Sequence, residues 1–191
     1  MSVSFSLSDA EKAFLGAEAV DSIQSALDGE RGKAPEKPRD APILLRDLGS
    51  FVTISLGGNL RGCIGTIVGR EPLYLNVWEM ARAAAFNDPR FPPLTRPEWQ
   101  GASLEISVLD APSVCPDPNE IEIGRDGLIL QYRGRSGVFL PQVPAEQGWD
   151  RREYLDHLCL KAGVPVGSWR DPAARLYWYQ AIVFPVDKKA G

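Results

Sequence analysis

The stretch from Phe51 to Val68 constrains the fold more than any other. Phe51–Leu56 alternates around Val52, Ile54 and Leu56, as a half-buried strand does. Gly57-Gly58-Asn59 is a turn signal, and Leu60–Val68 returns as a second strand, so the chain holds a β-hairpin. The return arm reads Leu60-Arg61-Gly62-Cys63-Ile64-Gly65-Thr66. Two glycines weaken a strand and mark close approach of another backbone or a ligand. Arg61 and Cys63 are two apart, and simple alternation puts them on one face. A guanidinium beside a thiol favours the thiolate, the nucleophilic form. A cysteine beside glycine also packs well in a core, so the local pattern allows a chemical and a structural reading.

Helices and strands bracket this hairpin. Ser8-Asp9-Ala10-Glu11 reads as a capping box that opens a helix running to about Leu27, with Gly29 ending it. Gly29–Pro42 holds three prolines and many charges and reads as an exposed connection. Glu71-Pro72 opens a second helix with Leu73, Val77, Met80, Ala81 and Ala84 facing inward, and Asn87-Asp88-Pro89 stops it. Ser103–Leu109 is a strand. Ile121–Ile123, Leu128–Tyr132 and Val138–Leu140 read as three short strands. Asp150 and Glu153 cap a third helix, which Gly163 ends. Leu176–Phe184 is aromatic-rich and uncharged, which fits a final buried strand. This order of elements is α+β.

Composition narrows the class. The 191 residues are 44% hydrophobic and 24% charged, ordinary for a soluble globular chain of one compact domain or two small ones. With 21 basic and 25 acidic residues, the net charge of −4 argues against nucleic-acid binding. The uncharged run Leu48–Leu60 is short and glycine-broken, so no membrane span is expected. Met1–Ser6 lacks the basic and apolar regions of a secretory signal. Cys63, Cys115 and Cys159 are odd in number and widely spaced, which reads as reduced thiols in the cytoplasm. A zinc site would require all three to converge with His157, the only histidine. Neither a metal nor a cofactor is expected.

Leu60–Thr66 resembles the LRGCIG signature of the family named after the AMME syndrome chromosomal region, called AmmeMemoRadiSam system protein A in bacteria and archaea. The segment Ala83-Ala84-Ala85-Phe86-Asn87-Asp88-Pro89-Arg90-Phe91-Pro92-Pro93-Leu94 is similar to the family's AAF-x-DPRFPPL, and Glu105–Leu109 to its EISVL strand. Gly137–Val143 and Leu158–Gly163 match as well, so the likeness runs from about Phe51 to Gly163 in order. The resemblance implies a larger α+β domain with an antiparallel sheet and helices, residues 1–111 and 164–191, and a smaller inserted three-stranded α+β domain, residues 112–163. The larger sheet would take the strands at Phe51, Leu60, Ser103 and Leu176 and a short one near Ile43. The signature would face the interface between the domains. The system's name implies a Memo-like protein and a radical S-adenosylmethionine protein as partners. This chain lacks the three clustered cysteines of a radical iron–sulfur site, so such a cluster would belong to a partner.

The family carries no settled activity, so the candidates are weighed by their chemistry. Cys63 is the candidate nucleophile, with Arg61 beside it; Glu105 is expected to pair with Arg61 across the sheet, the alternative being a general acid or base. His157 is a candidate base for Cys63, or a residue of the helix flank near Glu153 and Lys161. Leu60, Gly62, Ile64, Gly65, Asp88 and Arg90 are candidate binding residues, the last two in a proline-stiffened loop. Arg133, Arg135, Arg151 and Arg152 make a small basic group that can meet an acidic ligand or stay solvated. Two functional classes lead: a Cys63-dependent enzyme or enzyme component, and a non-catalytic module that binds a small molecule or a protein. Nucleic-acid binding is the weakest, given the acidic balance.

Overall fold

The computed structural model describes residues 5–30 and 32–188. It is a mixed α+β structure of two compact units, one built from residues up to Leu109 and from Ile182 on, the other from Asp110–Ala181.

The first unit opens with α1 (Asp9–Leu27), capped as the sequence indicates: Ser8 Oγ accepts from the Glu11 N–H, and the Glu11 carboxylate accepts from the Ser8 N–H at 2.8 Å. Strands β1 (Gly49–Leu56) and β2 (Asn59–Thr66) form the hairpin. Its turn residues Gly57 and Gly58 have φ 58° and 81°, a left-handed conformation that glycine adopts without a Cβ penalty. α2 (Leu73–Phe86) and α3 (Arg96–Gly101) follow, then β3 (Ala102–Leu109), which pairs antiparallel with the other side of β1. β1 is therefore central and β2 lies on the edge. Val52 and Ile54 of β1, Leu104 and Ile106 of β3, Val77 of α2 and Ile23 of α1 meet in one core.

Two expectations about strands are corrected. The segment near Ile43 is a 3-10 turn, Pro42–Leu45, because Pro42 has no N–H to give a ladder and its ring presets the turn. Ile121–Ile123 is not a strand either: a 3-10 turn at Pro118–Glu120 precedes it, and the Asp126 carboxylate accepts the Glu122 N–H at 2.8 Å. That local bond takes a donor a ladder would need.

The second unit contains β4 (Ser113–Val114), β5 (Asp126–Tyr132), β6 (Arg135–Phe139), α4 (Gln142–Gln147), α5 (Arg151–Lys161) and most of β7 (Arg175–Val186). β7 pairs with β4 on one side and β5 on the other, and β6 flanks β5 at the edge. Asp150 caps α5 with Glu153 as expected, and Tyr154, Leu155 and Leu158 of α5 pack on Leu128 and Leu130 of β5. The family resemblance implies an end at 163 for this unit. In the structure Val164 and Leu176 join its core, so it extends to Ala181.

Candidate functional site

The return arm of the first hairpin departs from simple alternation. Pairing is regular from Ser50↔Thr66 to Ile54↔Gly62, then slips, so that Ser55 faces Leu60 and Arg61 has no partner. This is a β-bulge, one extra residue in β2. Thr53 and Ser55 are two apart on β1 and share a face. Their partners Cys63 and Leu60 therefore share it too, although they are three apart. The slip makes Arg61 the unpaired residue of the arm, and its guanidinium bonds Glu98 and the Pro92 and Pro93 carbonyls instead of the Cys63 thiol.

Arg61 turns to a different set of groups. Its buried guanidinium donates from Nε to Glu98 Oε1 at 2.8 Å, from Nη2 to Glu98 Oε2 at 3.2 Å, and from Nη2 to the Pro92 carbonyl at 2.9 Å. Glu98 is the third residue of α3 and closes its capping box, accepting from the Thr95 N–H at 2.8 Å and hydroxyl at 2.7 Å. The Arg61 hydrogen bonds, then those of Thr95, hold the Glu98 carboxyl down at about 2. Glu105 does not pair with Arg61, because β1 lies between β2 and β3. Glu105 sits opposite Thr53 and is exposed.

The loop after α2 clamps the edge strand. Asp88 is almost fully buried; its Oδ2 accepts the Cys63 N–H at 2.9 Å, and its Oδ1 accepts the Arg90 N–H at 3.1 Å and Nε at 2.9 Å. Arg90 Nη2 donates to Asp88 Oδ2 at 2.7 Å and to the Cys63 carbonyl at 3.1 Å. The carboxylate and guanidinium thus stand where a further strand's carbonyl and N–H would be, and satisfy both backbone groups of Cys63. The Arg90 side-chain bonds, helped by the two backbone N–H groups, hold the Asp88 carboxyl far below the usual carboxylate range against the opposing effect of burial. The Phe91 ring lies 5.7 Å from the Arg61 guanidinium and 5.5 Å from that of Arg90.

The two glycines answer to different neighbours. A Cβ on Gly62 would stand 2.1 Å from the Ala84 carbonyl oxygen of α2, and one on Gly65 would stand 2.3 Å from the Phe51 ring. Ile64 packs against the core, whereas Leu60 is 44% exposed. The Cys63 thiol is half-buried and accepts a hydrogen bond from Thr53 Oγ1 at 3.3 Å. In the second unit His157 stacks face to face on Trp149, with ring centroids 4.0 Å apart. Cys115 and Cys159 are free and buried, and burial pushes the Cys115 thiol up to about 11. Among the described residues no three His, Cys, Asp or Glu side chains gather as a metal site requires, and no helix is long and apolar enough to cross a membrane.

Residues 17–184 match the AMMECR1 family model. The chain belongs to the AMMECR1 family. The match takes in the bulged strand, the clamp and α3, so the whole network above lies within the family domain. Curated AMMECR1 relatives include Protein NEQ441 of Nanoarchaeum equitans, 38% identical over 86% of this chain and 94% of that protein. Protein MK0488 of Methanopyrus kandleri is 41% identical over 85% and 83%. The fold resembles the crystal structure of the uncharacterized protein PH0010 from Pyrococcus horikoshii, with a TM-score of 0.82, 37% identity, and coverage of 94% of this chain and 93% of that one.

Sequence reasoning missed Glu98, Thr53 and Phe91. Thr95-Arg96-Pro97-Glu98 is a legible capping box with proline in the first turn, so α3 could have been found. That its glutamate also serves Arg61, 37 residues earlier, has no local signal.

Proposed function

We propose that residues 60–65 and the adjoining face of β1 and β3 are a protein-binding surface, with Cys63 as a contact group rather than a nucleophile. The bulge at Arg61 carries this reading. It brings the exposed Leu60 and the half-buried thiol of Cys63 onto one face, and sends the Arg61 charge to Glu98 instead of the thiol. Thr53 and Ser55 of β1 and Ser103 and Glu105 of β3 continue that face in register, all exposed or half-exposed. The clamp of Asp88 and Arg90 fixes the Cys63 backbone, so the surface is preorganised and loses little entropy on binding. A mixed surface of one leucine, one thiol and hydroxyls fits a protein partner better than a single charged metabolite. The partners to try are the Memo-like protein and the radical S-adenosylmethionine protein that the family resemblance brings in.

A thiol-dependent enzyme component is the second reading. A half-exposed free thiol remains accessible to an electrophile, which favours it. The test mixes the purified chain with each partner. Leu60→Asp is expected to weaken binding about tenfold, and Cys63→Ser to leave it within about twofold. Loss of the system's product in Cys63→Ser with binding intact would replace the binding reading with the enzymatic one.

A further inference from the structure

The hairpin of the second unit carries a feature that the surface around Cys63 does not use. β5 turns into β6 through Arg133 and Gly134, with φ 49° and 76°. Gly134 suits that conformation. Arg133 does not, because a side chain at positive φ crowds its own backbone. Glycine, asparagine or aspartate would close such a turn at lower cost, yet this chain sets a guanidinium at the tip. Local backbone cost of this kind concentrates at binding sites.

The surroundings of the tip add charge of the same sign. Arg135 donates from Nη1 to the Gly163 carbonyl at 2.7 Å. Gly163 leaves the space for it: a Cβ there would stand 2.8 Å from that Nη1. Arg175 enters on β7 opposite Gln131 of β5. Two shallow hollows of about 300 and 360 Å³ adjoin the tip; both are lined by Tyr132, Arg133 and Arg135, and the larger also by Arg175. Among the described residues neither lining includes a carboxylate. Asp171 stands nearby, accepting the Tyr132 hydroxyl at 2.7 Å and the Ala173 N–H at 2.9 Å. All three arginines are exposed.

We propose that this tip docks an acidic segment of a partner protein. A guanidinium presents a planar fork that matches a carboxylate at two points. Three such forks around shallow, open hollows suit a peptide laid across them, not a small molecule enclosed on all sides. A nucleic-acid backbone needs a basic face far longer than one hairpin tip, whereas a short acidic segment does not. The proposal is independent of the role given to Cys63, since every residue it uses lies in the second unit.

The test titrates the full chain against a fluorescein-labelled octaglutamate peptide by anisotropy, at low and moderate salt. Binding is expected, and is expected to weaken as salt rises. Arg133→Gly is the informative variant, because glycine favours the observed φ and the turn survives. It is expected to weaken binding roughly threefold with no loss of thermal stability, and Arg133→Ala/Arg175→Ala about tenfold. Arg152→Ala, outside both hollows, is expected to bind as wild type. The proposal fails if wild type does not bind, or if both tip variants bind as wild type does. It also fails if a single-stranded RNA octamer binds more tightly than the peptide.

Discussion

The two hairpins of this protein share a plan and spend their charge differently. Each closes through two residues of positive φ, Gly57-Gly58 in one and Arg133-Gly134 in the other. Each return arm is an edge strand with a glycine pressed against a helix. Gly62 meets the Ala84 carbonyl of α2, and Gly137 meets the backbone of Leu158 and Ala162 at the end of α5. On the first hairpin Arg61 is buried and bound by Glu98, and the outer edge is clamped by Asp88 and Arg90. On the second, Arg133, Arg135 and Arg175 stay exposed. The shared plan is what an edge hairpin under a helix requires. Placement of the arginines is where the two diverge: in the first, buried charge paired with a carboxylate fixes geometry, whereas in the second the charge stays exposed, with Arg133 over the Tyr132 ring and Arg135 on the Gly163 carbonyl.

The largest effects test the shared plan. Gly62→Val puts side-chain atoms into a helix carbonyl and is expected to cost about 3 kcal/mol or more, and Gly137→Val to do the same to the second unit. Urea unfolding measures both, and a tolerated valine at either position would end the parallel. Next comes the difference in pairing. Arg61→Met strands Glu98 and the Pro92 carbonyl and is expected to cost about 2 kcal/mol. Arg135→Met, at an exposed site, is expected to cost less than about 1 kcal/mol. Equal losses in a denaturant titration would show that the two arginines play the same part.

Acid sharpens the same contrast. Glu98 is held down at about 2 by Arg61 and Thr95, and Asp88 lies well below its ordinary range through Arg90. A folded-state pKa below the unfolded value means that these groups stabilise the fold fully above the unfolded range of about 4, and that this stability is lost as pH falls through the folded values. The first unit is therefore expected to weaken steadily from about pH 4.5 to 2. In Asp88→Asn and Glu98→Gln that slope flattens, with lower stability at neutral pH. An unchanged slope in both variants would remove the clamp and the Arg61 pair from the account. The smallest effects concern the turns. Gly58→Ala is expected to cost about 1 kcal/mol, since alanine resists φ 81°. Arg133→Gly is expected to stay within about 0.5 kcal/mol, because relief of the backbone offsets the greater freedom of the unfolded chain.

Much of this architecture is written locally. Ser8 with Glu11 and Asp150 with Glu153 announce their helices, because a capping box satisfies backbone donors within four residues. The alternation of Phe51–Leu56 and the Gly57-Gly58 turn announce the first hairpin for the same reason. Ile121–Ile123 misled because three apolar and acidic residues look like a strand, while a side chain four residues on, Asp126, settled their backbone. The likeness of residues 60–66 and 83–94 to a known family marked both halves of the clamp, but not that they touch.

By itself, the sequence determined the α+β class, the helix starts, the hairpin turn and the segment that holds the candidate site. Those follow from bonds made within a few residues and from alternation. Tertiary structure alone decided that Arg61 would be the bulged residue, that Glu98 would take the arginine, and that Asp88 and Arg90 would close the strand edge. The last two join residues 25 or more apart in the chain, and a pairing register one residue different would have exchanged the faces.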